Sequence, residues 1–304
     1  MRESELLQHV YAMAGGPTPE VPIPPGDDMA LIRLSDRALL AAVDQVVDGR
    51  HVDTTRAPLD LVGRKAVTRS LSDVAAMAGR PVALMAAVTL PPDFGHDRAT
   101  ALFDAMRATA AQYGCPLVGG DIAFFASATS PLVCTVSVLA EPGPGGPVTR
   151  SGARAGDVVA VTGALGGSWG PDGLGRHLTF EPRLREAAAL ADALGPNLHA
   201  MIDISDGLGR DAAHLAEQSN GRIEIDAGRV PCAAGVDWRR AMADGEDYEL
   251  CFAAAGDVPE RIGDLPVTVV GRFLERTGPE APMVLVREGD RTHDGSSLGW
   301  DHGA

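Results

Sequence analysis

The chain is almost without lysine. Of its 26 basic residues, Lys65 is the one lysine, in the string Gly63-Arg64-Lys65-Ala66. A phosphate loop of the Gly-x-x-x-x-Gly-Lys-Ser/Thr type is therefore excluded, and no Gly-x-Gly-x-x-Gly opens a helix after a strand. Cysteine is sparse: Cys115, Cys134, Cys232 and Cys251 are scattered without a CxxC pair. That excludes a zinc knuckle and a disulfide framework, and suggests a reducing cytoplasm. No apolar run approaches the ~20 residues that cross a bilayer, so no membrane role is expected. The acidic start, Met1-Arg2-Glu3-Ser4-Glu5, does not read as a signal peptide. Positive charge is also missing. A formal net charge of −15 argues against a nucleic-acid partner. It leaves small phosphorylated ligands open, because divalent cations reconcile the two signs.

What is present suits a globular protein. Apolar residues make up 45% and charged ones 22%, but aromatics only 4%, so the core must be built from Ala, Val and Leu. At ~150 residues per domain, 304 residues suit two domains. Residues 3–13 read as a helix through Leu6, Leu7, Val10 and Met13, and 15–26 as a Pro/Gly-rich loop. Leu39–Val43 reads as a strand. Pro58 starts a long helix with Leu59, Val62, Ala66, Leu71, Val74 and Met77 at a period near 3.6. A strand over 82–90, a helix over 97–113 and a strand over 132–139 follow. The run Glu141-Pro142-Gly143-Pro144-Gly145-Gly146-Pro147 is the best boundary, giving domains 1–143 and 144–304. Beyond it, 158–162 reads as strand, 183–194 and 206–219 as helices, and 222–226, 248–254, 266–272 and 282–287 as short strands. Mixed elements in both halves give an α/β (α+β) class.

The acids fall where chemistry can use them. Asp44, Asp121 and Asp203 stand where apolar runs stop, and Asp27-Asp28 and Asp206 occupy tight turns or a helix start. Carboxylates converging on one crevice repel unless cations lie between them, and hard oxygen ligands suit Mg²⁺. Several Mg²⁺ ions can hold a triphosphate in place of a lysine loop. Each acid also has an ordinary reading. Asp206 can cap its helix, Asp73 can pair with Arg69 at i,i+4, Gly26-Asp27-Asp28 can be a solvated turn, and Glu246-Asp247-Tyr248-Glu249 can be a charged hairpin edge.

As an ordered set, the strings resemble the thiamine-monophosphate kinase family of the PurM-like ATP-binding superfamily. The segments are Gly26-Asp27-Asp28-Met29-Ala30, Val43-Asp44-Gln45-Val46-Val47-Asp48-Gly49-Arg50-His51, Leu71-Ser72-Asp73-Val74-Ala75-Ala76-Met77 and Gly119-Gly120-Asp121. They continue with Thr149-Arg150-Ser151-Gly152-Ala153, Asp203-Ile204-Ser205-Asp206-Gly207-Leu208, Gly245-Glu246-Asp247-Tyr248-Glu249-Leu250 and Gly299-Trp300-Asp301-His302. The resemblance implies a two-domain PurM-like fold, an N-terminal domain forming a homodimer, and an active site in the cleft between domains. It implies Mg²⁺ on Asp28, Asp44, Asp73, Asp121, Asp203 and Asp206, and ATP on Gly120, Asp121, Arg150 and Ser205, with Asp206 and Arg150 catalytic. His51, Glu246 and Trp300 would hold thiamine monophosphate, Trp300 offering a flat face to a cationic heterocycle. The chain departs from the family at Ala42-Val43, Gln45, Val52, Ile122 and Gly303, none of which removes a metal carboxylate.

The implied reaction transfers a phosphoryl group from ATP to thiamine monophosphate, giving thiamine diphosphate. Its nucleophile is a phosphate oxygen already ionised at neutral pH, so alignment and charge neutralisation suffice. Two alternatives stay open at this point. One is another ATP-dependent enzyme of the superfamily; a selenophosphate-forming one would need a cysteine near the N-terminus, and the first here is Cys115. The other is a protein that binds Mg-nucleotide without catalysis.

Overall fold

The computed structural model describes residues 16–24, 26–276, 278 and 280–301. The helix expected over 3–13, and His302 and Gly303 at the other end, lie outside them. Two separate sheets form, as a mixed two-half pattern requires. The first is five-stranded, with β1 (Ala30–Leu34), β2 (Arg37–Val47), β3 (Arg80–Leu90), β4 (Leu117–Phe124) and β5 (Val133–Glu141) in the order β1-β2-β5-β3-β4. β5 shows why these residues form strands: Cys134, Val136, Val138 and Ala140 are buried, while Thr135, Ser137 and Leu139 between them are less so. Period-two burial of this kind belongs to a sheet with one covered face. The cover is α1 (Leu59–Ala76) and α2 (His96–Gln112), whose Val62, Ala66, Leu71, Leu102 and Met106 meet Leu40, Val46, Ala86 and Val136. Gly63 allows the two helices to touch, since a Cβ there would lie 2.6 Å from the Leu102 carbonyl oxygen.

The second sheet holds β6 (Val158–Thr162), β7 (Leu198–Ile204), β8 (Gly221–Asp226), β9 (Glu249–Ala254), β11 (Leu265–Glu275), β12 (Val284–Glu288) and β13 (Arg291–Asp294). Their order is β13-β12-β8-β11-β6-β9-β7, with β10 (Arg261–Ile262) paired to β11. Both faces are covered around β9, which is buried along its whole length. On one side α4 (Leu208–Gln218) brings Leu208, Ala212 and Leu215 against Ile202, Ile204, Ile223 and Ile225. On the other, α3 (Leu184–Leu194) packs Ala187 and Leu190 against Met201, Leu250 and Phe252, and Ala75 of α1 joins that cluster. A short α5 (Trp238–Ala243) precedes the 244–248 loop.

Helix α1 thus packs against both sheets, and this decides where function sits. Twelve of its 18 residues are buried. Lys65, Arg69, Ser72 and Asp73 recur at i, i+4, i+7 and i+8, which is one helical face. Features not read from the sequence were strands β1, β4, β10 and β13, helix α5, strand β7 as a full element, and the placement of acids within strands. Asp44, Asp121 and Asp203 lie inside β2, β4 and β7, not past their ends. Among the described residues no helix is long and apolar enough to cross a membrane.

Candidate functional site

Three carboxylates meet where α1 lies against β7. Asp28 comes from the loop before β1, Asp73 from the last turns of α1 and Asp203 from β7. One oxygen of each lies within 4.8 Å of those of the other two. Asp28 and Asp203 are buried. Burial first, then the charges of Asp44, Asp203 and Asp28, pushes the Asp73 carboxyl well above its ordinary range. Burial and then Asp28 push Asp203 up to about 7, although Ser72 Oγ donates to its Oδ2 at 2.6 Å. Carboxylates forced together without enough counter-charge resist ionising. Among the described residues the cation paired within the group is Arg150: it pairs with Asp28 at 2.7 Å, and its backbone N–H donates to Asp27.

The ordinary readings of these acids fail on inspection. Arg69 pairs with Asp44, at 3.6 Å, while Asp73 joins the carboxylate group. Asp206 does not cap α4. The N-cap is Gly207, and the backbone N–H groups of Ser205, Asp206 and Gly207 all donate to Oδ2 of Asp211, at 3.0, 3.0 and 3.1 Å. Asp28 sits in a buried loop, not a solvated turn. Asp247 and Glu249 are buried too, held by Arg176 and Arg183, so the 246–249 segment is no exposed hairpin edge.

Beside the carboxylates opens a pocket of about 400 Å³ whose lining includes His51, Arg69, Trp169, Asp206, Glu246 and Trp300. Trp300 is 50% exposed, so it does not plug a core; its backbone N–H donates to the Asp206 carbonyl at 2.8 Å, and Arg50 lies 5.1 Å from its ring centre. Glu246 is held in the left-handed region, φ 67°, by its N–H bond to the Ser205 carbonyl. Burial works against its ionisation, yet Lys65 and Arg69 keep its carboxyl below the usual range. His51 accepts at Nδ1 from the Val47 N–H, which places the ring proton on Nε2. Ser205 and Asp206 line the same pocket. The segment 203–206 therefore runs from the carboxylate group into the pocket.

Gly120 and Asp121 stand apart. The register Asp44↔Val136↔Ala86↔Gly120 forms one row on the covered face, so Asp121, in the row of Gln45, Thr135 and Ala87, points to the open face. Three strand spacings of ~4.8 Å separate β2 from β4, about 14 Å. Within one chain Asp121 does not join Asp44. Four positions in the site had no functional reading from the sequence. Lys65 and Arg69 are ordinary helix residues by pattern, Trp169 lies in a Gly-rich turn, and Asp211 reads as a surface helix acid. Two of them carried a sequence signal, rarity: Lys65 is the one lysine, and Trp169 is one of three tryptophans.

The two-sheet frame, with acids meeting along α1 and β7, is that of the PurM-like proteins. Residues 26–141 match the family described as AIR synthase related protein, N-terminal domain. Over the whole chain the likeness is narrower. A thiamine-monophosphate kinase of Rhodopirellula baltica is 33% identical over 282 residues, 86% of this chain and 86% of that protein. One of Mycobacterium tuberculosis is 33% identical, covering 84% of this chain and 83% of its own. A solved structure described as AaThiL complexed with AMPPCP and TMP superposes with a TM-score of 0.79 at 26% identity, over 99% of this chain and 97% of that one. The chain belongs to the thiamine-monophosphate kinase family.

Proposed function

We propose that this protein transfers the terminal phosphoryl group of ATP to thiamine monophosphate, releasing ADP and thiamine diphosphate. The observation that supports it is the contiguity of an acidic group and an aromatic pocket along 203–206. The donor set fits Mg²⁺: three hard oxygen ligands converge, two of them buried, with too little counter-charge. Asp28, Asp73 and Asp203 would hold it, with Asp44 and Asp206 at the flanks. When bound, Mg²⁺ ions supply the positive charge that lets two anionic reactants approach.

The chain's own residues supply position. Arg150, already aimed into the acidic group by Asp28, is placed to take an ATP phosphate oxygen. Ser205 and Asp206 stand between the two compartments, held by Asp211. Trp300 presents a flat ring to the cationic heterocycle, Glu246 an opposite charge, and His51 an Nε2–H to a phosphate oxygen. No general base is required, because the acceptor oxygen is already ionised. What remains is alignment.

Asp121 and Gly120 enter the reading only through a second copy. The open face of the first sheet exposes Val43 and Met85, and among the described residues β4 pairs with β3 alone. Such a face suits a homodimer built on the N-terminal domain, 1–143, with 144–304 as the second domain. Light scattering tests this, a monomer removing Gly120 and Asp121 from the site. A cytoplasmic setting agrees with four free cysteines, three of them buried. The reaction itself is tested by supplying Mg-ATP with and without thiamine monophosphate. ADP and thiamine diphosphate should form only when both are present. Nucleotide binding without turnover would favour a non-catalytic binder.

A further inference from the structure

Lys65 is fully buried and sits behind the pocket, not in its lining. Its ammonium meets three acceptors: Glu246 Oε2 at 2.5 Å, the His51 carbonyl oxygen at 2.6 Å and His177 Nδ1 at 2.8 Å. Three donors on one nitrogen face three acceptors, so its hydrogen bonding is complete. Because His177 accepts at Nδ1, its proton is on Nε2, directed at the Gly173 carbonyl oxygen 3.3 Å away. Burial, then the charge of Lys65, lowers the His177 pKa to about 4, which agrees with a neutral ring.

Trp169 stacks on that ring, with centroids 4.1 Å apart and planes 19° from parallel, and it lines the pocket while 39% exposed. Lys65 Nζ is itself 5.4 Å from the Trp169 ring centre. The turn carrying Trp169 is tied to the loop carrying Glu246: Gly166 N–H donates to Asp247 and Gly167 N–H to Asp244. One lysine on α1 thus fixes three parts of the pocket wall: a carboxylate, a histidine loop and an indole.

We propose that Trp169 is a further substrate-contacting residue, a second aromatic surface for a cationic heteroaromatic ring, and that Lys65 is the positioning residue that holds Trp169, Glu246 and His51 in register. This rests on the kinase reading above. The cationic ring then meets two indoles and a carboxylate, and Lys65 never needs to touch it. An ammonium satisfies acceptors arranged around a point, whereas a guanidinium fork is planar, so arginine does not replace it.

The test is calorimetric titration of thiamine monophosphate and, separately, Mg-ATP into the wild type and into Trp169→Ala, Trp169→Phe, Lys65→Met and the double variant Lys65→Met/Trp169→Ala. Trp169→Ala should weaken thiamine monophosphate binding about tenfold, the scale of a cation–aromatic contact. Mg-ATP affinity and melting temperature should stay near wild type, and Trp169→Phe should recover most of the loss. Lys65→Met should weaken thiamine monophosphate more, raising KM above its effect on kcat. If Lys65 acts through Trp169, the double variant loses less than the two single losses combined. Unchanged thiamine monophosphate affinity in Trp169→Ala, equal loss of both ligands, or full additivity overturns the inference. Should Lys65→Met not fold, the two Trp169 variants decide it alone. A wild type that binds no thiamine monophosphate overturns the kinase reading itself, which separates the two failures.

Discussion

The acidic group and the aromatic pocket share one segment, 203–206, yet they are built on opposite electrostatic plans. In the first, Asp28, Asp73 and Asp203 crowd together with Arg150 as their organic counter-ion, and the carboxyls of Asp73 and Asp203 respond by holding protons. In the second, each charge is answered. Glu246 has Lys65 and the nearby Arg69, and it stays ionised although buried. The first compartment is incomplete without cations. The second is preorganised for a ligand that adds one positive charge and one flat ring. A site assembled this way keeps its unfavourable terms on the side where metal and nucleotide arrive together.

Removing one of the crowded acids should give the largest effect, with opposite signs on function and stability. Asp73→Asn deletes a metal ligand, so turnover should fall about a hundredfold or more. The same change relieves desolvation and like-charge repulsion, so the metal-free protein should melt higher than wild type. Turnover assays and melting curves in a chelator check both signs. A variant that melts lower in chelator would show that the acids are not in conflict when metal-free, and the contrast between compartments would fail.

The two compartments also differed in how far sequence could read them. Asp28 and Asp203 were candidates because carboxylates in Gly-rich turns and at the ends of apolar runs can converge on one crevice, but each acid also had an ordinary reading, and Asp73 joined the set only with the family resemblance. Trp300 and Glu246 came only with the family resemblance. Lys65 and Trp169 were illegible as pocket residues. Their positions depend on α1 crossing from one sheet to the other, and on a turn whose backbone bonds lead to Asp244 and Asp247. No local periodicity encodes such a meeting. In the first sheet β1 was not read, while β2, β3 and β5 were legible by the signature of an apolar run. β4 was not, since its residues are mostly exposed and lack that signature. Asp121 was placed with the other acids by the family resemblance, although the register sets it on the opposite face.

A smaller effect is expected in the pocket. Trp300→Ala should weaken thiamine monophosphate about tenfold and leave Mg-ATP binding nearly intact, because the indole is half exposed and supports no core. Asp206→Asn should do the reverse. Calorimetry of both ligands on both variants sharpens the contrast, and equal losses in Trp300→Ala would dissolve it.

Raising the pH should separate the compartments again. Burial, opposed by Glu246, pushes the Lys65 ammonium down to about 8 from an ordinary 10.5. Above that pH it keeps two donors instead of three and no longer offsets Glu246. Affinity for thiamine monophosphate should therefore fall between pH 7 and 9, in wild type but not in Lys65→Met. A profile unchanged by Lys65→Met would assign the titration elsewhere.

The smallest effect should be a pH-dependent shift in melting of the metal-free protein, and its sign is fixed by the acids. Asp203 has a folded pKa of about 7 against an ordinary 3.8, so the folded state binds more protons than the unfolded one in between. Its contribution to stability is complete below pH 3.8 and is lost as the pH rises through about 7. Asp73 acts in the same direction. His177 and His214, both lowered to about 4, oppose them in part between about 4 and 6.5, and Lys65 between about 8 and 10.5, where the unfolded chain holds the extra proton. Melting in chelator should thus decline from pH 5.5 to 7.5 by a few degrees, roughly 2–4 °C for each kcal/mol lost in a chain of this size. Added Mg²⁺ should flatten that decline, since a bound cation favours the ionised acids that burial disfavours. The pocket variant Trp300→Ala should keep the slope of wild type, and Asp73→Asn should reduce it. A chelated wild type whose melting temperature rises over the same interval would mean that the buried carboxylates already have their counter-charges within the chain.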